Sequence, residues 1–508
     1  MKVRLEKEFL ILIILSIFCF TPYASAQENH PNIIVFLVDD MGLMDTSVPF
    51  LEDANGQPKK YPLNDYYITP NMEKLARQGV CFTNFYAHSV CSPTRASILT
   101  GQNSARHGTT NWINQGSNNR TKFGPQEWNW KGLDKSSVTL PRLLQEAGYK
   151  TIHIGKAHFG PIGFEGENPI NLGFDVNVGG SAAGHPGSYY GHDGYGNLKG
   201  AKSHAVAGLE KYWKDDLFLT EALTREANDK ITEAQKEGKP FFLYMSHYAV
   251  HAPFHSDPRF AEHYKNSGKD EKAQAYATLI EGMDKSLGDI VTHVKDLGLG
   301  ENTLILFLGD NGSDAPLPIT NGYSSSEPLR GKKGNHWEGG MRVPFIASWI
   351  TPNKKTAAQK AFKIPQNEIQ NQVGTVIDIF PTICNLTHLN APENHILDGY
   401  NLQKQLQGKT NKKRENTFLN HFPHDVHRST YFTSFVKDDW KVIYFFQVDG
   451  TPKYELYYTK NDPFEATNLA DSNPQQLKVM MTLLQEDMDN KHALYPEKDG
   501  QILKIIQP

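Results

Sequence analysis

Apolar segments without polar alternation recur along the chain and are separated by segments of helical periodicity. Residues 32–40, residues 239–246 and the segment TLILFLGDNG from residue 303 predict strands buried on both faces, and a further strand is predicted at 149–155. Apolar residues in steps of three and four over 276–297 predict a long amphipathic helix. Shorter helices are predicted at 70–78 and 139–147. This alternation predicts an α/β fold, with a large, mainly parallel or mixed sheet sandwiched by helices.

The pattern changes near residue 415, where short strand-like segments follow one another. STYFTSFVK, WKVIYFFQ and KYELYYT predict three strands, and a helix is predicted over 475–489. We therefore expect a main domain over residues 28–415 and a smaller C-terminal subdomain, an antiparallel sheet with a helix, over residues 416–508. The long polar stretches 103–137 and 160–215 are expected to form the rim of a site.

The first 26 residues have the pattern of a secretory signal peptide. Lys2, Arg4 and Lys7 precede an apolar run at 9–20, and small residues at 24–26 provide a cleavage site. The run is too short for a comfortable membrane span, so a signal peptide is favoured over a membrane anchor, and we expect no transmembrane segment after its removal. The protein is thus expected to be periplasmic or secreted.

The composition is that of an ordinary globular protein with nearly balanced charge. The chain has 508 residues and a formal net charge of -4, so its electrostatics give no reason to expect nucleic-acid binding. Of its 4 cysteines, Cys19 would leave with the signal peptide. The others, Cys81, Cys91 and Cys384, are too few for a disulfide framework in so long an exported chain. An odd thiol in an oxidising compartment indicates that one cysteine has another fate, and Cys91 is the candidate.

The stretch CSPTRASILTG, residues 91–101, places that cysteine beside a predicted helix N-terminus. Ser92 is a good N-cap, Pro93 suits the first helical position, and Gly101 is a natural stop. Backbone N–H groups at such an N-terminus favour an anion, and the Arg95 side chain leans back toward them. The pattern indicates an anion cradle with a reactive side chain at its mouth. The alternative is a buried structural thiol.

Acidic and amide side chains follow two of the predicted strands. Asp39 and Asp40 end the first strand, and Asp310 and Asn311 end the strand that begins at residue 303. Either pair alone could be a turn or a helix cap. Ligand sites in open α/β sheets lie beyond the carboxyl ends of strands, where converging carboxylates need a hard divalent cation. Calcium is favoured over magnesium because several protein oxygens are available.

Further polar side chains follow predicted strand ends or lie in the Gly-rich loop LRGKKGNHWEGG. These are Lys156 and His158 in the stretch GKAH, His247 and His251, and Lys332 and Lys333 in the loop. Taken one at a time, they are more often surface turns, structural histidines or solvated lysines than catalytic groups.

These segments occur together in the order of one known family. The chain resembles the formylglycine-dependent, type I sulfatases of the alkaline phosphatase superfamily, and among them bacterial polysaccharide sulfatases. The matching segments are VDD at 38–40, CSPTRASILTG, GKAH, HAPF from His251, GDNG and KGNHWEGG, and YELYYTKNDPFEATNLA resembles the closing motif. The resemblance spans about residues 33–470, so the 28–415 domain would be the catalytic one.

The resemblance implies a modified cysteine and a metal ion. In this family the motif cysteine, here Cys91, is oxidised by a formylglycine-generating maturation enzyme, and the resulting aldehyde hydrates to a diol. The residues that match the family's calcium ligands are Asp39, Asp40, Asp310, Asn311 and the modified Cys91. The residues expected to neutralise the sulfate are Arg95, Lys156 and Lys333.

The resemblance also implies a mechanism. One diol oxygen attacks sulfur and gives a covalent sulfo-enzyme, while His251, with Lys333, protonates the departing alcohol oxygen. His158 then deprotonates the second diol oxygen and sulfate leaves. The family's K-G-x-x-x-E-G-G spacing matches Lys333 better than Lys332, and His247 has no matched role.

The composition of the polar loops bears on the substrate class. The favoured function is an exported sulfatase acting on a sulfated oligosaccharide or polysaccharide, since the polar loops carry tryptophans that could pack on sugar rings. His424 and Arg428, in the stretch NHFPHDVHRST, are predicted to bind the sugar. The alternatives are a phosphodiesterase or phosphonate monoester hydrolase of the same superfamily, and an inactive glycan-binding relative.

Overall fold

The computed structural model describes residues 30–508 except 54, 202, 319–324, 429 and 447–452. The expected signal peptide, residues 1–26, lies outside the described residues. Among the helices that are described, none combines the length and the apolar character that crossing a membrane requires.

Eight strands form the main sheet, in the spatial order β5–β4–β6–β1–β7–β8–β2–β9. These strands are β1 (Asn32–Val38), β2 (Val80–Phe82), β4 (Lys150–Gly155), β5 (Val176–Val178), β6 (Phe241–Ser246), β7 (Thr303–Gly309), β8 (Phe345–Trp349) and β9 (Glu368–Gln370). β3 (Phe85–Tyr86) and β10 (Gly374–Thr375) form a small parallel pair. Within the main sheet, β8 runs antiparallel to both of its neighbours, and the other pairings are parallel. The predicted mixed, mainly parallel sheet is confirmed.

Helices cover both faces of this sheet. The α-helices are α1 (Pro62–Tyr66), α2 (Pro70–Gln78), α3 (Cys91–Thr100), α4 (Ser104–His107), α5 (Leu140–Glu146), α6 (Leu219–Lys236), α7 (Ala261–Tyr264), α8 (Glu271–Asp296), α9 (Glu338–Met341), α10 (Ala357–Ala361), α11 (Ile379–Thr387), α12 (Gln403–Leu406) and α13 (Pro474–Asn490). Short 3-10 helices lie at Glu165–Glu167, Pro169–Leu172, Gly191–Gly196, Glu210–Tyr212, Gly300–Asn302 and Val376–Asp378.

Strand β1 shows how the two faces are filled. Its even-numbered residues Ile34 and Phe36 belong to one hydrophobic core, together with apolar residues of α6 and α8. Its odd-numbered residues Ile33 and Val35 belong to a second core, which includes residues of α3, α5 and α11. Because successive side chains of a strand point to opposite faces, a strand buried on both sides needs a continuous apolar run, as residues 32–38 provide.

The C-terminal part is a four-stranded antiparallel sheet in sequential order, with α13 packed on it. Its strands are β11 (Thr417–Phe422), β12 (Phe432–Lys437), β13 (Trp440–Phe445) and β14 (Lys453–Tyr458). β15 (Glu497–Lys498) and β16 (Gln501–Ile502) form a last hairpin. The three predicted strands are present, and β11 is an additional one. α13 contributes Met480, Met481 and Leu484 to the core of this sheet.

Helix α3 begins two residues earlier than the sequence predicts. Val90 is the N-cap, with an extended backbone at φ -142° and ψ 164°, so Cys91 lies within the first turn. The predicted cap, Ser92, is wrong because its Oγ accepts a hydrogen bond from the Ile113 N–H at 3.0 Å instead. The predicted stop is confirmed: Gly101 ends the helix in the left-handed conformation at φ 67°, which glycine adopts without strain.

Candidate active site

Four neighbouring parallel strands end at the same edge of the main sheet, and the residues that follow them form the site. In the sheet order β4–β6–β1–β7, these residues are Lys156 and His158, then His247 and His251, then Asp39 and Asp40, then Asp310 and Asn311. Parallel strands place their carboxyl ends together, which is why segments distant in sequence meet here.

The carboxylates form one compact cluster. Asp39, Asp40 and Asp310 are buried, and each offers an oxygen atom within 4.8 Å of the others. The Asp40 N–H donates to Asp310 Oδ1 at 3.0 Å, and Asn311 Nδ2 donates to Asp40 Oδ1 at 2.9 Å, so the two strand ends are joined. Asn311 Oδ1 is buried and has no hydrogen-bond partner among the described residues. The cluster therefore presents oxygen donors from four side chains.

Three cationic side chains face the three carboxylates. Lys156 Nζ donates to both carboxylate oxygens of Asp39 at 2.8 Å, and Lys333 Nζ donates to Asp40 Oδ2 at 2.8 Å. Arg95 Nε donates to Asp310 Oδ2 at 2.9 Å. The Arg95 Nη1 group also donates to Ser246 Oγ at 2.6 Å and to the carbonyl oxygen of Lys156 at 3.0 Å. Arg95 is thus held by the ends of β4, β6 and β7.

The same contacts shift the acidity of the cluster. Burial raises the pKa of Asp310 to about 6, and it also raises the pKa of Asp39 against the opposing effect of Lys156. Burial acts on Asp40 in the same direction, but Lys333 and His251 outweigh it and hold the pKa of Asp40 below its usual value. The carboxylates thus differ in how readily each would give up a proton.

The imidazole of His158 is directed at position 91. Its Nε2 lies 2.6 Å from the carbonyl oxygen of Ile113, and because a carbonyl can only accept, Nε2 carries the proton. The Nδ1 lone pair then faces the first turn of α3, with Cys91 Sγ at 3.4 Å and Ser92 Oγ at 3.3 Å. Burial lowers the pKa of His158 well below its usual value, and burial raises the pKa of the Cys91 thiol. A neutral base therefore lies beside a buried residue at position 91.

His251 shows the opposite tautomer. Its Nδ1 lies 2.8 Å from the carbonyl oxygen of Ala252, so Nδ1 carries the proton and Nε2 faces the site, 3.6 Å from Asp40 Oδ2. Burial, assisted by the charge of Lys333, lowers the pKa of His251 to about 4. His247 is also buried, but its Nε2 lies 2.9 Å from Ser286 Oγ, below the sheet edge and away from the carboxylates. The structural role suggested for His247 fits this position.

One cavity of about 490 Å³ gives access to these groups. Its floor includes Cys91, His158, His251 and Lys333. Its walls come from three separate segments: Trp112, Ile113, Asn114, Gln115 and Gly116; Gly184, His185, Ser203 and His204; and His427. The walls combine aromatic and imidazole rings with amide groups, a surface that suits a polar ring-shaped ligand.

The predicted sugar-binding residues occupy different positions. His424 is wholly buried: its Nε2 lies 2.9 Å from Thr110 Oγ1 and its ring packs against Trp128. Its predicted exposure to the sugar is wrong, because β11 runs directly into this stretch and carries it into the interior. Arg428 lies at the surface, pairs with Asp314 at 2.9 Å and donates to the carbonyl oxygen of Lys333 at 3.3 Å. Its role in substrate binding stays a prediction.

Three histidines of the cavity are not among the predicted site residues, although His427 lies in the stretch that was predicted to reach the sugar. The His185 and His204 rings stack with centroids 3.8 Å apart, His185 stacks on His251 at 5.4 Å, and His427 lines the opposite wall. His185 and His204 fall in the polar stretch 160–215, which was expected to reach a site rim. No local spacing distinguishes them from the other histidines there.

Comparison with known proteins agrees with this geometry. Residues 31–389 match the family model described as Sulfatase, and residues 333–493 match the model described as N-sulphoglucosamine sulphohydrolase, C-terminal. N-acetylgalactosamine-6-sulfatase of Canis lupus familiaris is 31% identical over 396 residues, covering 76% of this chain and 67% of that protein. A sulfatase of Formosa agariphila is 27% identical over 548 residues, covering 96% of this chain and 93% of that protein.

Solved structures share the fold. The crystal structure of Ps i-CgsB matches with a TM-score of 0.70 at 24% identity, covering 90% of this chain and 93% of that one. The same protein has been solved in complex with k-i-k-neocarrahexaose. The shared fold, a mixed sheet between helices with a C-terminal antiparallel sheet, is the one that the sequence predicts. The chain belongs to the sulfatase family, which makes it a sulfuric ester hydrolase, as its motifs predict.

Proposed function

We propose that this sulfatase is exported, carries formylglycine at position 91 and calcium at the carboxylate cluster, and removes sulfate from a sulfated oligosaccharide or polysaccharide. The observation that carries the proposal is the position of the neutral His158 Nδ1, 3.4 Å from Cys91 Sγ and 3.3 Å from Ser92 Oγ, at the floor of the cavity. The general base, the reacting residue and the charge that would hold a sulfate are thus adjacent.

The residues present fit a calcium ion. The ligands would be Asp39, Asp40, Asp310 and Asn311, an all-oxygen set of the kind a hard cation prefers. The buried Asn311 Oδ1, which lacks a hydrogen-bond partner among the described residues, is the atom such an ion would satisfy. When bound, the ion would supply positive charge toward the sulfate oxygens and toward an oxygen of residue 91.

The proposed modification explains why a cysteine occupies a site with a base directed at it. Hydrated formylglycine supplies two hydroxyl groups on one carbon, which no unmodified side chain offers. His158 Nδ1 is placed to take a proton from a hydroxyl group at this position, since its Nε2–H is fixed on Ile113. Conversion would require a formylglycine-generating maturation enzyme acting on the CSPTR segment before export.

The chain's cationic groups would bind and polarise the sulfate. Lys333 lines the cavity, and Lys156 Nζ contacts the Asp39 carboxylate at 2.8 Å. We therefore expect both amines to lie near the sulfate. Arg95 is completely buried among β4, β6 and β7, where it organises the carboxylates and adds positive potential. Such preorganised charge is commonly the largest contribution to catalysis.

His251 is proposed to protonate the departing alcohol oxygen, with Lys333 beside it. Its Nε2 is the nitrogen that faces the cavity floor, because Nδ1 is held by Ala252. A bound sulfate brings negative charge next to this ring and so favours its protonated form, opposing the effect of burial. Lys333 contacts Asp40 and lines the same cavity, which supports a role for both groups beside the leaving oxygen.

A glycan is the proposed substrate class because of the cavity walls. Aromatic and imidazole faces can pack on a sugar ring, and the amides of Asn114 and Gln115 can pair with hydroxyl groups. Relatives named N-acetylgalactosamine-6-sulfatase, and the oligosaccharide bound to Ps i-CgsB, support this class. His427 replaces His424 as the proposed contact from the C-terminal segment.

The domain division at 415/416 and the signal peptide at 1–26 belong to the same proposal.

Two measurements test the proposal. Mass analysis of the peptide that contains Cys91, from protein coexpressed with a maturation enzyme, should show formylglycine, while an intact thiol in an active enzyme would contradict it. Cys91→Ala should lose several orders of magnitude in turnover yet fold, whereas Cys384→Ala, which removes a buried thiol that does not line the cavity, should keep the turnover of the folded enzyme.

Substrate preference is tested in parallel. The wild type should hydrolyse 4-nitrophenyl sulfate far faster than bis(4-nitrophenyl) phosphate. The reverse order would identify the phosphodiesterase alternative. Absence of both activities in formylglycine-bearing protein would favour the inactive glycan-binding relative.

A further inference from the structure

The loop that carries Lys333, residues 330–342, is anchored by the C-terminal sheet through buried charges. Glu338, at the start of α9, accepts a hydrogen bond from Lys441 Nζ at 2.9 Å. Lys441 belongs to β13, and its Nζ also lies 2.7 Å from Glu465 Oε1. The side chains of Glu338, Lys441 and Glu465 have no solvent exposure. We call these three residues the buried triad.

The triad fixes the backbone as well as the side chains. Glu465 Oε2 accepts a hydrogen bond from the Glu338 N–H at 2.6 Å, and so satisfies the first backbone donor of α9. The Tyr86 hydroxyl donates to Glu338 Oε2 at 2.9 Å from the main domain. Lys441 and Glu465 thus determine where the turn that begins at Glu338 can lie.

A second set of contacts holds the outer side of the same loop. The Arg330 guanidinium lies over the Trp337 ring, 3.8 Å from its centroid. Trp337 Nε1 donates to Glu455 Oε2 at 3.0 Å, and Arg330 donates to the Tyr457 hydroxyl at 3.2 Å. Both ends of the Lys333 loop are therefore attached to the segment 455–465 of the C-terminal part.

The loop in turn contacts the metal-site strand end directly. The Gly312 N–H donates to the Gly340 carbonyl oxygen at 3.0 Å, and the Lys333 N–H donates to the Ser313 carbonyl oxygen at 2.9 Å. A Cβ atom at Gly312 would lie 2.0 Å from the carbonyl oxygen of Gly339, so the two backbones are already at closest approach. A displacement of the turn at Glu338 is therefore transmitted to the segment after Asn311 and to Lys333.

A simple stabilising role explains the triad poorly. The triad places one ammonium group between two carboxylates, and the Arg342 guanidinium lies 3.6 Å from Glu338 Oε2. Burying these charges carries a large desolvation cost, and apolar residues of similar volume often stabilise a core equally well. Directional contacts to the Glu338 carboxylate and to the Glu338 N–H select a single position for the turn that begins there, which apolar packing would not do.

We propose that Lys441 and Glu465 are positioning residues for catalysis: the C-terminal sheet uses the buried triad to hold Lys333 against Asp40 and toward the leaving oxygen. The proposal rests on the role of Lys333 in the proposed function. It implies that the C-terminal sheet, which contributes no group to the carboxylate cluster, is part of the catalytic apparatus.

The test is a comparison of leaving groups in Lys441→Met. A variant that only unfolds more easily loses active enzyme, so its turnover falls equally for all substrates. A misplaced Lys333 instead weakens assistance to the leaving oxygen, which matters more for phenyl sulfate than for 4-nitrophenyl sulfate. We expect the loss in kcat/KM for phenyl sulfate to exceed the loss for 4-nitrophenyl sulfate by about 10-fold. Equal losses in folded protein would overturn the proposal.

A double-mutant cycle provides the second readout. Lys333→Ala and the combination Lys333→Ala/Lys441→Met should be nearly equal in kcat/KM, because Lys441 acts through Lys333. Independent, multiplying losses would overturn the proposal. Full activity of Lys333→Ala alone would instead refute the role of Lys333 in the proposed function.

Two further variants guard against loss of folding. Lys441→Met/Glu465→Gln removes one positive and one negative charge together and keeps an acceptor for the Glu338 N–H, and it should show the same leaving-group pattern. Lys437→Met makes the same substitution in β12, where Lys437 pairs with Glu415 at 3.6 Å near the surface. It should leave both kcat/KM values unchanged.

Discussion

At the scale of single residues, backbone carbonyls decide the chemistry of the two histidines that face the cavity floor. The Ile113 carbonyl holds the Nε2 proton of His158, and the Ala252 carbonyl holds the Nδ1 proton of His251. Each ring therefore presents one defined nitrogen to the cavity. The sequence predicted both residues from the GKAH and HAPF segments. It could not predict the tautomers, because the two carbonyls are placed by loop conformation.

The proposed acid role of His251 gives a prediction about leaving groups. His251→Ala should lower turnover of a sugar sulfate by about 10²–10⁴-fold and that of 4-nitrophenyl sulfate much less, since nitrophenolate needs little protonation. Parallel kcat/KM measurements on the two substrates check this. His247→Ala, at the end of the same strand but paired with Ser286, serves as control and should not change the ratio. Equal losses in His251→Ala would remove it from the acid role.

Asp45 gives a prediction about pH and stability. It is buried, accepts hydrogen bonds from the Gly42 N–H and the Tyr276 hydroxyl, and burial raises its pKa to about 7 from the ordinary value of 3.8. The folded protein thus holds this proton more tightly than the unfolded chain, so this group lowers stability as pH rises from about 4 to about 7. Asp45→Asn keeps an acceptor but cannot ionise.

The measurement for Asp45 is the melting temperature as a function of pH. The difference in Tm between Asp45→Asn and the wild type should increase in favour of the variant as pH rises from about 4 to about 7, because the variant lacks one destabilising ionisation. The control is Asp65→Asn, because Asp65 is an exposed residue of α1, and this variant should reproduce the wild-type profile. A parallel offset of the Asp45→Asn profile at all pH values would contradict the prediction.

At the scale of secondary-structure elements, the sheet brings together side chains that are distant in sequence. The apolar runs predicted β1, β4, β6 and β7 to within a few residues, and their parallel pairing brings four chemically distinct strand ends together. β11 was missed because Asn420 and His421 interrupt its apolar character. That omission led to the wrong placement of His424, because β11 carries the residues that follow it inward.

The convergence of the ends of β1 and β7 predicts dependence on a hard cation. Extensive treatment with a chelator should lower both activity and melting temperature, and calcium should restore both better than magnesium. A ligand present at about 100 times its Kd stabilises a fold by about 2.7 kcal/mol, which is a measurable shift in Tm. Asp310→Asn should lose the calcium-dependent shift. Unchanged Tm and activity after verified metal removal would contradict the site.

At the scale of the whole molecule, the fixed strand ends are enclosed by loops that come from distant parts of the chain. The cavity walls belong to the segments near Trp112, His185 and His427, and the Lys333 loop is anchored on the C-terminal sheet. Motifs located the floor of the site because catalysis constrains residue types at fixed strand ends. The polar stretches 103–137 and 160–215 predicted the segments that form most of the walls, but not the residues that line the cavity, because the contacts of a long loop depend on its tertiary path.

The groups proposed to bind sulfate lie at the cavity floor, whereas the proposed sugar contacts lie in the walls. We therefore predict that a substitution in the walls changes substrate specificity and leaves hydrolysis of a small sulfate ester unchanged. His204 stacks on His185 in the wall and makes no contact with the carboxylate cluster among the described contacts. His204→Ala should therefore lower kcat/KM for a sulfated oligosaccharide by about 10-fold or more, in line with the loss of a ring that packs on a sugar, while 4-nitrophenyl sulfate is hydrolysed at nearly the wild-type rate. His192→Ala is the matched control, since His192 lies in the same polar stretch but pairs with Asp216 outside the cavity. If His204→Ala lost both activities equally, the wall would be part of the sulfate site, and if it lost neither, the sugar would have to bind elsewhere.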